Sequence, residues 1–235
     1  MIPTTYAGNE LELFEVAKNW KNYYGSYLRP HLTGRVLEVG AGIGGTTKHL
    51  CDGSQEEWIC LEPDPRLAGE IQKLLDTRQL PDCCHLEGGV IQGIPTTEKF
   101  DAILYIDVIE HIEDDATELR AACARLKRGG HLIILVPAHP WLYSPFDKAI
   151  GHFRRYNQRG LRKVVPGGLT NKKLLYLDSV GLMASVANKL FLRQSYPTER
   201  QIHLWDSVLV NLSKLMDKVT LHACGKSVLG IWEKQ

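Results

Sequence analysis

The chain has 235 residues, of which 44% are hydrophobic and 23% are charged, a composition that excludes a largely disordered protein. Its formal net charge of +1 gives no overall attraction to nucleic acid or to anionic membranes. No apolar run approaches the ~20 residues that span a bilayer. The first residues lack the basic and apolar segments of a signal peptide, so we expect a soluble, cytoplasmic protein. The six cysteines form no C-x-x-C pair and accompany no zinc-spaced histidines, so we expect reduced thiols and no bound metal.

Short apolar runs alternate with helical patterns along most of the chain. This rhythm predicts βαβ units and a parallel sheet, hence an α/β fold. The run Phe100–Ile106 is nearly continuously apolar, which is typical of a strand that is covered on both faces. The predicted strands are Arg35–Val39, Trp58–Leu61, Cys83–Leu86, Phe100–Ile106, His131–Val136, Lys173–Val180 and Ser227–Trp232.

Apolar residues at helical spacing predict one or two helices within residues 9–28, ahead of the first strand. Further helices are predicted up to Leu50, over Pro65–Leu75 and over 115–126. The Gly129-Gly130 pair is expected to stop the last of these. We therefore expect residues 1–235 to form a single domain, with N-terminal helices in 1–30.

A glycine-rich turn follows the first predicted strand, with Gly40, Gly42 and Gly44 at alternate positions. Glycines at a strand-to-helix turn let a ligand approach the backbone closely, although a tight turn that only packs helix on sheet has the same pattern. Glu38 distinguishes between ligands. Its carboxylate would repel a dinucleotide pyrophosphate but suits the amino group and sulfonium of S-adenosylmethionine.

Two further signals follow the next strands. Glu62 ends the second strand, where an acid can accept hydrogen bonds from both ribose hydroxyls of an adenosine ligand. NAD enzymes use the same device, so Glu62 indicates adenosine without saying which cofactor carries it. Gly89, Val90 and Ile91 follow the third strand, where an adenine ring would lie, although a simple turn explains them nearly as well.

Three polar residues follow the fourth strand together: Asp107, Glu110 and His111. The carboxyl edge of a parallel sheet is where ligands bind in α/β proteins. Capping of the next helix accounts for the later acids at 113–115 but poorly for Asp107. This segment therefore predicts part of a ligand site.

The order of these signals resembles class I S-adenosylmethionine-dependent methyltransferases. It combines E-x-G-x-G-x-G at 38–44, an acid ending strand two, D-V-I-E-H at 107–111 and K-R-G-G at 127–130 before strand five. The closer likeness is to the small-molecule, ubiquinone/menaquinone-type branch and to bacterial methyltransferases found beside glycosyltransferases. The resemblance spans essentially the whole chain. It implies a doubly wound, mostly parallel seven-stranded sheet whose last strand is antiparallel, with S-adenosylmethionine as cofactor.

The resemblance also implies roles for individual residues of the cofactor site. Glu38, Gly40 and Gly42 would line the methionine end, together with Asp107 and Val108. The ribose would contact Glu62 and Pro63, and the adenine would lie between Gly89, Val90 and Ile91.

Residues 138–170 are predicted to form the acceptor region, and two histidines are candidates for its general base. His152 is the first choice and His111 the second, since imidazole titrates near neutrality. A structural histidine beside the arginines explains His152 about as well. Asp107, Glu110 and His111 could imitate the divalent-metal site of some quinone-type relatives, but the prediction is that no metal binds.

The segment from Asp147 to Lys173 carries eight Lys or Arg residues and one Asp. It indicates either a solvated basic face or an anionic acceptor that Arg154 and Arg155 would bind, with Tyr143 and Tyr156 as further contacts. The acidic remainder of the chain argues against nucleic acid.

Residues 181–224 are predicted to form a helical cap inserted between strands six and seven, over the acceptor pocket. An apolar stripe at helical spacing runs along it. The stripe could pack on the core, a second subunit, a hydrophobic acceptor or a membrane that carries a lipid-linked acceptor. Its residues are Trp205, Val208, Leu209, Leu212, Leu215, Met216 and Val219.

The sequence as a whole predicts an enzyme that transfers a methyl group from S-adenosylmethionine to an oxygen or nitrogen of a small-molecule, sugar-linked or lipid-linked acceptor. An NAD-linked oxidoreductase and a non-catalytic binder of S-adenosylmethionine remain as alternatives.

Overall fold

A seven-stranded sheet forms the centre of the chain, in the order β3-β2-β1-β4-β5-β7-β6. The computed structural model describes residues 10–189 and 197–235. The last strand, β7, runs antiparallel to both of its neighbours and the other pairs are parallel, as the resemblance implied. The strands are β1 Arg35–Val39, β2 Glu57–Glu62, β3 Cys84–Gly88, β4 Phe100–Ile106, β5 Leu126–Pro137, β6 Leu169–Leu177 and β7 Ser227–Lys234.

Helices cover both faces of this sheet, and none in the described ranges is long and apolar enough to cross a bilayer. Side chains that alternate along β4 enter two separate cores: Leu104 packs on one face, and Ile103 and Tyr105 pack on the other. The α-helices are α1 Glu10–Glu15, α2 Lys18–Leu28, α3 Thr47–Leu50, α4 Pro65–Asp76, α5 Asp115–Arg125, α6 Pro145–Ala149, α7 Gln158–Val164, α8 Ser179–Ala187, α9 Glu199–Leu204 and α10 Val210–Val219.

β1 and β4 match their predicted bounds residue for residue, and the other five strands differ, most at the start of β5 and in β6. The Gly129-Gly130 pair does not stop α5, because β5 already begins at Leu126. The pair lies instead in an irregular stretch of β5 where its register against β4 shifts, and Gly129 has a φ of +77°. β6 lies earlier than predicted, since Asp178 takes a left-handed φ of +66° and caps α8.

The insertion between β6 and β7 packs its polar residues inward. Ser213 and Asp217 of α10 are buried, whereas Leu215 and Val219 are 63% and 68% exposed. A π-helical turn at Trp205–Leu209 precedes α10 and changes which side of the helix faces the core. Packing on the domain's own core, one of the four alternatives for the apolar stripe, accounts for only part of it, because Trp205 and Leu209 pack on the core and the other five stripe residues are exposed.

Asp217 attaches α10 to the rest of the domain. It accepts hydrogen bonds from the Tyr23 hydroxyl (2.8 Å) and from the backbone N–H groups of Asp178 (2.7 Å) and Ser179 (2.9 Å). These donors belong to the N-terminal helices and to the start of α8. One buried carboxylate therefore joins three segments that are distant in sequence.

Replacing Asp217 by Ala should lower the free energy of unfolding by on the order of 3 kcal/mol, because three buried donors lose their acceptor. Leu215→Ser, on the exposed side of the same helix, is the matched control and should change stability by less than about 0.5 kcal/mol. Urea unfolding measures both. Equal losses of unfolding free energy in the two variants would mean that the outward face of α10 contributes as much to stability as the inward face.

Candidate active site

A cavity of about 530 Å³ opens at the carboxyl ends of the parallel strands. Strand order reverses between β1 and β4, and ligands of open α/β sheets bind at such a point. The cavity walls come from the loops after β1, β2, β4 and β5, from the N-terminal helices and from the start of β7. The antiparallel direction of β7 brings its first residue, Ser227, beside Pro137 at the end of β5.

The glycine turn after β1 forms one wall of this cavity. Gly40 and Gly42 have φ values of +68° and +60° and both line it. A Cβ atom on Gly40 would lie 2.7 Å from Cγ2 of Val108, so only glycine lets the loops after β1 and β4 meet. This contact holds the glycine turn against the cluster that follows β4.

Glu38 lies behind this wall and is not among the cavity-lining residues. Its buried carboxylate accepts hydrogen bonds from Oγ1 of Thr47 (2.6 Å) and Nε1 of Trp58 (2.9 Å). Burial raises the pKa of Glu38 to about 7, against the lowering effect of both hydrogen bonds. Glu38 thus fixes the start of α3 under the glycine turn.

Glu62 faces the cavity at the end of β2, next to Pro63. Its carboxylate accepts hydrogen bonds from the backbone N–H groups of Gly42 (2.8 Å) and Asp64 (2.9 Å), and burial raises its pKa. Glu62 therefore braces the glycine turn from the side on which a ribose is expected. Each carboxylate oxygen has a second lone pair for a further donor.

The predicted adenine contacts lie outside the cavity lining. The N–H of Gly89 donates to the carbonyl of Glu62 (3.1 Å), which places this turn beside the end of β2. Val90 is half-buried, but the Ile91 side chain is fully buried in the core. The Ile91 side chain is therefore not available to stack on an adenine as predicted, because it packs into the core at the start of a one-turn 3₁₀ helix, Ile91–Gly93.

Two acids follow β4 and line the cavity: Glu110 is buried, and Asp107 is exposed on the cavity wall. Asp107 has a left-handed φ of +54°, and desolvation by the surrounding protein raises its pKa to about 6 in spite of His152 and Lys226 nearby. Glu110 is 0% exposed, and within the described residues neither of its carboxylate oxygens has a hydrogen-bond partner. Burial and the neighbouring Asp107 raise the pKa of Glu110 well above its ordinary value. A buried carboxyl group without partners is costly, so it indicates a ligand.

His152 lies beside Glu110, with its Nε2 atom 3.9 Å from Oε1 of that residue. Its Nδ1 donates to Oδ1 of Asp147 (2.9 Å). Burial alone would raise the pKa of Asp147, but hydrogen bonds from His152 and Arg155 hold it well below its ordinary range. Asp147 therefore stays ionised and orients the imidazole with Nε2 toward the acid.

His111 packs edge-on against His152, with the ring centroids 4.5 Å apart. Burial and the neighbouring His152 lower the pKa of His111 to about 3, so its ring is neutral at physiological pH. The ligand atoms of Glu110, His111 and His152 lie within 4.8 Å of one another, a spacing that is also compatible with a cation.

The four residues predicted to contact the acceptor occupy different positions. Arg155 lines the cavity, and its Nε donates to Asp147 at 2.7 Å. Arg154 pairs with Asp115 at 2.7 Å, and the buried Tyr156 hydroxyl donates to the same carboxylate at 2.6 Å. The Tyr143 hydroxyl donates to the carbonyl of His152 at 2.6 Å. Tyr143, Arg154 and Tyr156 thus support the loop that carries His152, and none of the three is among the cavity-lining residues.

Comparison with known proteins identifies this arrangement. The sequence model of the methyltransferase-domain family matches residues 12–205. The chain belongs to this family, of the class I, S-adenosylmethionine-dependent type. This result confirms the family and fold that the glycine turn and the two acids predicted.

The relatives that this chain matches are named for methyl transfer to different atoms, nitrogen in one case and oxygen in another. The chain is 28% identical to ajmaline N-methyltransferase of Rauvolfia serpentina over 55% of its own length and 43% of the relative's. It is 31% identical to the mitochondrial ubiquinone biosynthesis O-methyltransferase of Candida albicans, over 42% of the chain and 31% of the relative. Each match thus spans less than half of the relative.

A solved structure with the same fold is that of the N-methyltransferase NodS from Bradyrhizobium japonicum WM9, in complex with S-adenosyl-L-homocysteine. It superposes with a TM-score of 0.61 and 15% identity, covering 97% of this chain and 93% of that one.

Several cavity residues of this methyltransferase were not predicted as site residues from its sequence. Lys226 precedes β7, lines the cavity and lies with its Nζ 4.6 Å from the centre of the Trp205 ring. Phe14 and Trp20, from the N-terminal helices, pack against the same ring. The antiparallel direction expected for β7 was the signal that could have located Lys226. No comparable sequence signal marks the aromatic residues, because aromatic residues of the core and those of the cavity occur at the same helical spacing.

Glu38 should make the stability of this methyltransferase depend on pH. Its folded pKa of about 7 exceeds the ordinary value of 4.5, so its contribution is greatest below that ordinary value and is lost as pH rises toward 7. As the pH rises from about 5 to about 7.5, the unfolding free energy of Glu38→Gln should increase by on the order of 2 kcal/mol relative to that of wild type. Urea unfolding at both pH values measures this difference. If the difference in unfolding free energy between Glu38→Gln and wild type were the same at both pH values, Glu38 would not titrate with the raised pKa.

Proposed function

We propose that this chain transfers the methyl group of S-adenosylmethionine to a nitrogen atom of a small basic acceptor. The observation that carries the proposal is the buried carboxyl group of Glu110, which faces the cavity without a hydrogen-bond partner in the described residues. A protonated amine would supply the missing donors and the opposite charge in one group.

The donor would occupy the side of the cavity formed by the loops after β1 and β2. Glu62 and Pro63 would hold the ribose, and Gly40 and Gly42 would approach the methionine moiety closely. Asp107 is the acid available to the cofactor's amino group. Gly89 and Val90, beside the end of β2, would flank the adenine.

Methyl transfer needs an amine lone pair that is aligned with the sulfonium methyl. The bound ammonium would give one proton to the carboxylate of Glu110, with His152 as the next acceptor. The freed lone pair then forms the N–C bond while the C–S bond breaks, and sulfur keeps the bonding electrons. The raised pKa of Glu110 suits a base for this step, because proton transfer is most effective when the two pKa values are close.

Transfer to a hydroxyl or phenol oxygen is the second candidate, favoured by the pairing of His152 with Asp147. In that case Nε2 of His152 would accept the acceptor's proton, and the charged Asp147 would stabilise the imidazolium. The ubiquinone biosynthesis relative is an O-methyltransferase by name.

An anionic or lipid-linked acceptor has less support. Arg154 and Arg155 are paired with Asp115 and Asp147, so neither offers a charge that lacks a partner. A cytoplasmic location, the absence of a nucleic-acid partner and peripheral membrane contact remain predictions. The family match argues against NAD-linked oxidation, and calorimetry with S-adenosylmethionine, S-adenosylhomocysteine and NAD tests the choice of cofactor. An assay with labelled methyl donor separates methyl transfer from cofactor binding without catalysis.

Replacing Glu62 by Ala should weaken binding of S-adenosylmethionine by about 1–3 kcal/mol, since charge-assisted hydrogen bonds to the ribose are lost. Isothermal calorimetry measures the dissociation constant, and circular dichroism checks that the variant stays folded. Glu70→Ala, on an exposed part of α4, is the control and should bind as wild type does. An unchanged dissociation constant in Glu62→Ala would refute the ribose assignment.

Replacing Glu110 by Gln should lower kcat/KM for an amine acceptor by on the order of 10²-fold, because the ammonium loses its charged partner. The dissociation constant of S-adenosylmethionine should stay within about twofold. A screen of amine and phenol acceptors with labelled methyl donor identifies a substrate for this test.

His152→Gln is the paired variant that separates the two candidate functions. For an oxygen acceptor, His152→Gln should reduce kcat more than Glu110→Gln does. Loss of cofactor binding in Glu110→Gln would instead assign this acid to the donor. Activity that is lost with a chelator and restored by Mg²⁺ would assign it to a metal.

A further inference from the structure

Three cysteine side chains meet at the edge of the sheet, outside the cavity. Cys51 follows the short helix α3, Cys83 lies directly before β3, and Cys84 is its first residue. The Sγ atom of Cys51 is 3.5 Å from that of Cys83 and 3.4 Å from that of Cys84. None of the three lines the cavity described above. Two chain segments about 30 residues apart thus bring three sulfur atoms together.

Ordinary packing gives these thiols little reason to meet. A thiol is a weak hydrogen-bond donor, and beyond the cluster Cys51 donates to Oε1 of Gln55 at 3.3 Å. Cys51 and Cys84 are buried and Cys83 is half-buried, so the cluster has one side near solvent.

The sulfur spacing is close to that of a metal–thiolate site. Three thiolates on one Zn²⁺ ion, at Zn–S distances of about 2.3 Å, are separated from each other by about 3.8 Å. The two distances from Cys51 would have to widen by only about 0.3–0.4 Å to reach that geometry, and all three sulfur atoms lie within 4.8 Å of one another. A disulfide at about 2.05 Å would need a movement of more than about 1.3 Å and would leave the third sulfur without a role.

We propose that Cys51, Cys83 and Cys84 form a binding site for a thiophilic metal ion, Zn²⁺ in the first instance. Each thiol gives up its proton as its sulfur binds, so one Zn²⁺ replaces three protons. Cys83 is half-buried and leaves one side of the cluster near solvent, where water could supply the fourth ligand of a tetrahedral ion. Soft sulfur ligands favour Zn²⁺ and Cu⁺ over Mg²⁺ or Ca²⁺.

The location gives this site a structural role. Thr47, the first residue of α3, holds Glu38 under the glycine turn, and Cys51 directly follows the last residue of α3. A bound ion would fasten the end of α3 to the start of β3. Metal binding should therefore stabilise the cofactor half of the domain without taking part in methyl transfer.

The test uses the full chain, reduced and kept free of oxygen, titrated with Cd²⁺ as an optical probe for Zn²⁺. Cadmium bound to thiolates absorbs in the ultraviolet by charge transfer, whereas cadmium on Glu110, His111 and His152 does not. We expect one Cd²⁺ per chain, an absorbance typical of three thiolates, and its loss when Zn²⁺ competes. Thermal unfolding should shift upward with either ion.

The matched variants are Cys51→Ser, Cys83→Ser and, as control, Cys224→Ser, a half-buried cysteine of the loop before β7. Cys51→Ser should weaken Cd²⁺ binding at least tenfold, and Cys224→Ser should bind as wild type does. Cys83→Ser, at the more exposed position, provides the same test if Cys51→Ser does not fold. Absence of the absorbance in wild type, or its persistence at full strength in both cluster variants, overturns the proposal. Isolation of a Cys51–Cys84 or Cys51–Cys83 disulfide in place of the metal complex also overturns it.

Discussion

The contact between Gly40 and Val108 is the constraint on which the ligand edge of this protein depends. The loops after β1 and β4 leave the sheet in different directions at the point where strand order reverses. They enclose a cavity only if they also remain in contact with each other. Without a side chain on Gly40, the Val108 methyl groups reach its backbone, and a Cβ atom would lie 2.7 Å from one of them. This approach places the glycine turn beside Asp107 and Glu110, so the turn and these two acids line one cavity.

Buried carboxylates hold the remaining walls in place. Asp217 and Asp178 join α10, α8 and the N-terminal helices, and Asp178 also accepts a hydrogen bond from Nε1 of Trp205 at 2.7 Å. Trp205 lines the cavity, and Lys226 lies over its ring. Within the described residues of the insertion between β6 and β7, Trp205 therefore reaches the site, while α10 packs against α8 and α2 and leaves its outer face exposed.

The charges around the cavity divide into paired and unpaired groups, and this division bears on the acceptor. The basic loop that suggested an anionic acceptor folds back on its own acids: Arg154 on Asp115, and Arg155 on Asp147. Glu110 is left as the buried acid without a hydrogen bond in the described residues. This unpaired buried acid is what supports the proposed amine acceptor.

The sequence by itself determined the family, the mostly parallel seven-stranded sheet with an antiparallel last strand, and the positions of the glycine turn and of the acids that follow β2 and β4. These follow from local patterns: apolar runs, glycines that need a positive φ, and acids at strand ends. Tertiary structure decided which acid faces the ligand, that Glu38 supports the turn from behind, and that α10 turns Asp217 inward and Leu215 outward. It also decided that Cys51 meets Cys83 and Cys84. The physical reason is that the burial and pairing of a side chain depend on partners far away in the chain, which local residue spacing does not reveal.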